Sequence, residues 1–148
     1  MKKVYFAGPM FCKSEKDYNA AVAAMLEDAG YSVFLPQRDG NEAALMKDET
    51  EEERTRVIFD VDTAAIRNAD VLFMVLDGRV PDEGACVELG IAYALGKPCY
   101  GIKTDVRAAE NGMDLNPLIA GCFKRIFRNP DGGAALCELA EYLKTTGL

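Results

Sequence analysis

Short apolar segments alternate with longer segments of helical periodicity along this chain, and this alternation constrains its fold more than any other feature. The apolar segments predict strands at residues 4–7, 31–35, 71–76, 99–102 and 125–127. Apolar residues at helical spacing predict helices at 16–29, 50–69, 83–95 and 133–143. Residues 37–47 and 104–123 are predicted to be loops, with a helical turn in the first and a short helix at 117–122 in the second.

This order of elements predicts a parallel sheet with helices on both faces. Five strands indicate a flavodoxin-like, doubly wound α/β fold with strand order 2-1-3-4-5, and 148 residues indicate one domain over 1–148. Ligands of such folds bind at the carboxyl ends of the strands, where the strand order reverses. We therefore expect the site at the turn after strand 1 (8–11), the loop after strand 3 (77–84) and the helix that follows.

Charge and composition exclude several classes of partner. The formal net charge of −7 argues against a nucleic-acid polymer. No apolar run approaches the ~20 residues that cross a bilayer, and the chain begins almost directly with a strand, so we expect a cytoplasmic protein without a signal peptide. Five widely spaced cysteines form no CxxC pair, which is typical of reduced thiols rather than a zinc or redox site.

The chain contains no histidine. Catalytic triads and dyads that depend on histidine are therefore excluded, and the commonest transition-metal sites become improbable. A dinucleotide site would need more glycines than Gly8 after strand 1, and a phospho-accepting receiver domain would need an acidic pair there. Carboxylates are the groups from which a catalytic site is most easily built.

Carboxylates are densest between residues 77 and 90. Asp77, Asp82 and Glu83 lie in the loop or at the start of the predicted helix, Glu88 lies in its second turn, and Gly84 leaves room for a close approach. Two carboxylates that face one site, here Asp82 and Glu88, are what a retaining glycosyl transfer needs. Spacing alone leaves another interpretation open, in which the acidic residues only complement the helix dipole and Glu88 is solvated.

Three segments in order, at residues 4–11, 62–70 and 77–90, resemble the nucleoside 2-deoxyribosyltransferase family, and the resemblance extends from residue 4 to about 119. It implies that Glu88 is the nucleophile that forms a covalent deoxyribosyl intermediate. It also implies that Tyr5 orients this glutamate and that Asp82 and Asp70 act at the site. Asn116 would reach the sugar bound by a neighbouring subunit, although the following Pro117 departs from the family pattern. The active unit would then be a homo-oligomer, at least a dimer.

The mechanism that follows from the resemblance uses a deoxynucleoside and a free nucleobase, as in nucleotide salvage, and no metal or organic cofactor. The base would lie near Met10, Phe11 and the loop 37–39, and the sugar over Glu88, with Gly8, Asp77 and Gly84 also in contact with the substrate. Glu88 would attack as Asp82 supplies a proton to the leaving base, and a second base would then take the sugar.

Alternatives remain for the single residues and for the function. Tyr5, Met10 and Phe11 also suit a hydrophobic core, whereas Asp70 and Asn116 also suit turns or caps. A hydrolase of 2′-deoxynucleoside 5′-monophosphates would use the same glutamate, with Lys13 and Ser14 as phosphate donors. A non-catalytic nucleotide-sensing module is the third possibility. The roles of Asp62 and of the acidic run 48–53 stay open.

Overall fold

The computed structural model describes residues 1–40, 48–105, 114–129 and 132–148. Five parallel strands form one sheet in the order β2-β1-β3-β4-β5, which confirms the predicted fold class. The strands are β1 (Lys3–Ala7), β2 (Ser32–Phe34), β3 (Val71–Val75), β4 (Cys99–Lys103) and β5 (Arg125–Arg128). The strand order reverses between β1 and β3, so their carboxyl ends lie side by side at the expected ligand-binding edge.

Helices connect the strands and cover both faces of the sheet. They are α1 (Lys13–Asp28), α2 (Pro36–Asp39), α3 (Glu51–Asn68), α4 (Glu83–Ala94), α5 (Pro117–Ala120) and α6 (Gly132–Thr145). Helix α1 begins three residues before the predicted start because the Glu15 carboxylate accepts hydrogen bonds from the backbone N–H groups of Phe11 and Cys12. None of the described helices is long and apolar enough to cross a bilayer.

The two predicted loops are described in part. Helix α2 supplies the helical turn expected within 37–47, and α5 supplies the helix expected near 117–122. Residues 41–47 and 106–113 of these loops lie outside the described residues, as do 130 and 131 before α6.

Alternate residues of each strand belong to different cores, one on each face of the sheet. On β1, Val4 and Phe6 pack in the core that includes α1 and α6, whereas Tyr5 and Ala7 pack in the core that includes α3 and α4. Each of these four residues is at most 1% exposed. The pleat of β1 therefore directs the Tyr5 side chain towards the helix that carries Glu88.

Two glycines provide a matched test of the packing. A Cβ atom at Gly101 in β4 would lie 2.9 Å from Cδ1 of Leu76 and 3.0 Å from Cε1 of Phe123, whereas one at Gly90 in α4 would meet no atom within 4 Å. We expect Gly101→Ala to lower the free energy of unfolding by about 1–3 kcal/mol. Gly90→Ala should raise it by about 0.5–1 kcal/mol because alanine favours the helix. Urea unfolding measures both, and equal effects would contradict this packing.

Candidate active site

The centre of the candidate site is a hydrogen bond between β1 and α4. The Tyr5 hydroxyl donates to Oε1 of Glu88 over 2.8 Å. The Tyr5 ring is fully buried and stacks on Phe34, with ring centroids 5.6 Å apart and an interplanar angle of 14°. Stacking and burial fix the ring, so the phenol holds the glutamate in one position at the carboxyl edge of the sheet.

Asp82 begins the helix that carries Glu88. Its Oδ2 accepts a hydrogen bond from the backbone N–H of Ala85 over 2.8 Å and caps the helix. A Cβ atom at Gly84 would lie 3.2 Å from that same oxygen, which explains why a glycine suits this position. Asp82 thus stabilises the start of α4, which is the structural interpretation that the sequence left open. It also lines the cavity that contains Glu88.

Asp62 is the acidic residue that sequence reasoning did not place. It lies in α3, lines the same cavity as Glu88 and Asp82, and its charge contributes to the raised pKa of the Tyr5 phenol. One sequence signal was available: Asp62 precedes Ile66 by four residues, which places both on the same face of α3, and Ile66 is 1% exposed in the core beneath the site.

Burial is the main cause of the pKa shifts of Tyr5 and Glu88. It raises the pKa of Glu88 from 4.5 to about 8; the Tyr5 hydrogen bond opposes this shift, and the charges of Asp62 and Asp82 add to it. Burial, followed by the charges of Glu88 and Asp62, also raises the pKa of the Tyr5 phenol. Tyr5 therefore stays protonated as the donor, while Glu88 exchanges its proton close to neutral pH.

A cavity of about 180 Å³ is lined by Glu88, Asp62 and Asp82. Of the predicted residues, it brings together Gly8, Met10, Phe11, Asp82, Gly84 and Glu88. The walls not predicted from sequence include Phe6, Asn19, Leu35, Pro36 and Asp62; Gln37, from the loop expected near the base, lies beside them. Among the described lining residues three are carboxylates and none is Lys or Arg, so the cavity suits a neutral or cationic ligand better than an anion.

Apolar side chains at the mouth of the cavity are exposed. Met10 is 36% exposed and Phe11 is 77% exposed. Neither residue therefore belongs to the hydrophobic core, which was the alternative for these residue types. The close packing beneath them involves Gly8, where a Cβ atom would lie 3.1 Å from Cβ of Val75. An exposed aromatic ring beside a polar cavity is well suited to contact a planar ligand.

Asp70, which the resemblance implies at the site, lies apart from the Glu88 cavity. Asp70 precedes β3, and its Oδ2 accepts a hydrogen bond from the backbone N–H of Lys3 at the start of β1. Five residues of β3 at about 3.3 Å each separate this amino edge of the sheet from the carboxyl edge where Glu88 lies. Asp70 connects two strand starts and does not line the Glu88 cavity.

Asp77 and Asn116 also lie outside the Glu88 cavity in this chain. Asp77 accepts hydrogen bonds from the backbone N–H groups of Thr104 and Asp105 and from the Thr104 hydroxyl, which joins the loops after β3 and β4. It lines a neighbouring cavity instead. The Asn116 side chain caps α5 by accepting from the N–H of Leu118 over 2.9 Å. Its contact with a neighbouring subunit stays a prediction.

The raised pKa of Glu88 predicts a pH-dependent stability. The folded protein keeps a proton that the unfolded chain releases between about pH 4.5 and 8, so the free energy of unfolding falls as pH rises through this window. The slope is at most about 1.4 kcal/mol per pH unit. Because Gln does not titrate, we expect the stability of Glu88→Gln relative to the wild type to increase from pH 5 to pH 8 in urea unfolding. A difference that is constant with pH would contradict the assigned shift.

Comparison with known proteins finds solved structures that share this fold. A protein from Enterococcus faecalis V583, described as a conserved protein, has 29% identity and a TM-score of 0.78, with 97% of this chain and 98% of that chain covered. A 2-deoxyribosyltransferase from Bacillus psychrosaccharolyticus has 26% identity and a TM-score of 0.69, with coverage of 89% and 90%.

A CMP N-glycosidase from Clostridium botulinum shares the fold at 21% identity and a TM-score of 0.65, with coverage of 95% and 99%. A comparison with curated proteins finds no match. The family model described as nucleoside 2-deoxyribosyltransferase matches residues 4–132, which confirms the resemblance seen in the sequence. The chain belongs to the nucleoside 2-deoxyribosyltransferase family.

Proposed function

We propose that the protein transfers a 2-deoxyribosyl group from a deoxynucleoside to a free nucleobase through a covalent intermediate on Glu88. The observation that carries this proposal is the part-buried hydrogen bond from Tyr5 to Glu88, a glutamate that lines a cavity together with two aspartates. The activity named for the B. psychrosaccharolyticus relative supports the reaction class. No step of this reaction requires a metal or an organic cofactor.

The first half-reaction forms the intermediate. The ionised Glu88 carboxylate attacks the anomeric carbon, the bond from that carbon to the base nitrogen breaks, and its electron pair leaves with the base. Asp82 supplies the proton that the departing base needs, and Asp62 is a second acid within the same cavity. The transition state resembles an oxocarbenium ion, so nearby carboxylate charge stabilises it.

The second half-reaction reverses these events with another base. A ring nitrogen of the incoming base attacks the same carbon, Glu88 leaves as a carboxylate, and the proton of the incoming base returns to the acid. Two displacements at one carbon give net retention. Tyr5 remains protonated throughout and keeps Glu88 aligned with the anomeric carbon.

The cavity favours a nucleoside over a nucleotide. Lys13, which the sequence offered as a phosphate donor, forms an ion pair with Asp17 and is 87% exposed. Ser14 lines the neighbouring cavity rather than the one around Glu88. A dianionic phosphate would instead meet the carboxylates of Asp62 and Asp82, which would repel it.

The test is an exchange assay. Purified protein is incubated with deoxyinosine or deoxyuridine, with and without adenine, and the products are separated by chromatography. Deoxyadenosine that forms only when adenine is added supports transfer. Free base released at the same rate without adenine would support a hydrolase instead, and deoxynucleoside monophosphates would then be compared as substrates. Absence of any reaction, combined with measurable nucleoside binding, would support a sensing module.

A further inference from the structure

A buried acceptor in the site has no hydrogen-bond partner among the described residues. Asn19 in α1 is 2% exposed, and no described residue donates a hydrogen bond to its Oδ1 atom. Buried polar side-chain atoms are nearly always hydrogen-bonded, because losing water without gaining a partner is unfavourable. This oxygen is therefore a candidate for recognition of a ligand.

Two backbone carbonyls fix which way the Asn19 amide points. Nε2 of Gln37 donates to the carbonyl of Lys16, so Oε1 of Gln37 must be the atom that faces Asn19. Nδ2 of Asn19 donates to that Oε1 over 3.2 Å and to the carbonyl of Pro9 over 2.8 Å. Both hydrogens of the Asn19 amide are used, and a flipped amide would set its oxygen against two acceptors. The unpaired atom is therefore the oxygen.

Asn19 lies where the proposed substrate would present its base. It lines the Glu88 cavity together with Met10, Phe11 and Gln37. With the sugar over Glu88, these residues form the part of the cavity that remains for the base. Asn19 also lines the neighbouring cavity of Asp77, whereas Gln37, which accepts a hydrogen bond from its Nδ2, lines the Glu88 cavity.

Glu88, which lines the same cavity, already accepts the hydrogen bond that the Tyr5 hydroxyl can donate, so Tyr5 offers no proton to a keto oxygen of the base. A keto oxygen placed against Oδ1 of Asn19 would bring two hydrogen-bond acceptors together, and both would stay unpaired. An exocyclic amino group brings two N–H donors and pairs with the same surface.

We propose that Oδ1 of Asn19 accepts a hydrogen bond from the exocyclic amino group of the nucleobase, so that the site selects aminated bases over their keto counterparts. The inference rests on the proposed function, because it places a deoxynucleoside in the Glu88 cavity. It concerns deoxyadenosine against deoxyinosine and deoxycytidine against deoxyuridine, pairs in which the sugar is the same.

The experiment compares these pairs in two ways. In the wild type, kcat/KM for base release is measured with one acceptor base held constant. On the Glu88→Gln background, which should not consume the ligand, Kd is measured by calorimetry. We expect the amino member of each pair to be favoured by about tenfold or more. Asn19→Ala should reduce this preference to within about threefold, and such a ratio does not depend on the fraction of protein that is folded.

Tyr18→Phe is the matched control. The Tyr18 hydroxyl is the neighbouring buried polar atom without a described partner, but it lines the cavity of Asp77 and not that of Glu88. This variant should keep the amino preference. If Asn19→Ala weakened kcat/KM and binding equally for both members of a pair, the contact would be to the sugar and the inference would be overturned. The absence of an amino preference in the wild type would also overturn it. Selective binding without turnover would overturn the proposed function and leave amino recognition standing.

Discussion

Replacement of Glu88 by glutamine should lower kcat by at least about 10³-fold, because the amide has almost the same shape as the carboxylate but cannot act as a nucleophile. The variant should nevertheless be folded. Since the wild type buries a carboxyl whose pKa is raised to about 8, glutamine removes a cost to folding at neutral pH. Loss of turnover together with an unchanged or higher resistance to urea therefore assigns the defect to chemistry.

Glu83→Gln provides the control for this result. Glu83 lies in the first turn of the same helix α4 and is exposed, so the substitution removes one carboxylate from the helix without entering the Glu88 cavity. We expect its kcat to stay within about threefold of the wild type. Initial rates of base exchange measure both variants. If Glu88→Gln kept a tenth or more of the wild-type rate, Glu88 would not be the nucleophile.

Tyr5→Phe should have the second largest effect, and the effect should depend on pH. The Tyr5 hydrogen bond lowers the pKa of Glu88, so its loss moves that pKa above the value of about 8. The ionised nucleophile then forms only at higher pH, and the acidic limb of the kcat/KM profile should shift upwards. Activity should fall by about tenfold or more at pH 7 and recover partly in alkaline buffer.

The phenylalanine ring preserves the stacking on Phe34, so the variant tests the hydroxyl rather than the packing. Tyr93→Phe removes a hydroxyl from an exposed position of α4 and should leave the profile in place. A Tyr5→Phe enzyme that is slower by the same factor at every pH would show that Tyr5 orients Glu88 without tuning its ionisation.

The fold was predictable because short apolar runs indicate its strands and the helical spacing of apolar residues indicates its helices. Apolar runs such as that of β3, buried along its whole length, are typical of a sheet covered on both faces, and the order of the elements then allows few topologies. The pairing of Tyr5 with Glu88 came from the family resemblance, since the sequence alone leaves the two residues 83 positions apart.

The aspartates of residues 62–70 show what a motif leaves open. The resemblance marks the segment and matches Asp70, at the start of β3, to a site aspartate of the family. A residue that precedes a parallel strand lies at the amino edge, however, whereas ligands bind at the carboxyl edge. Asp62 lies before the end of α3, which runs back to the start of β3, and it therefore lies nearer the carboxyl edge and lines the Glu88 cavity.

The amide pair of Asn19 and Gln37 could not be found from the sequence. The two residues belong to different helices, and neither motif nor periodicity indicates that their side chains meet. Only the positions of two backbone carbonyls determine which amide atom is left unpaired. Such information arises from tertiary structure alone.

The hydrogen bond from Tyr5 to Glu88 also links catalysis to the order of assembly. Its two residues belong to the first strand and to the helix after the third strand, so it closes only when β3 has inserted beside β1. A growing chain makes the phenol early and its glutamate partner much later. A fragment that lacks β1 or α4 therefore cannot form this hydrogen bond. Recovery of activity during refolding should coincide with completion of the central sheet rather than with helix formation.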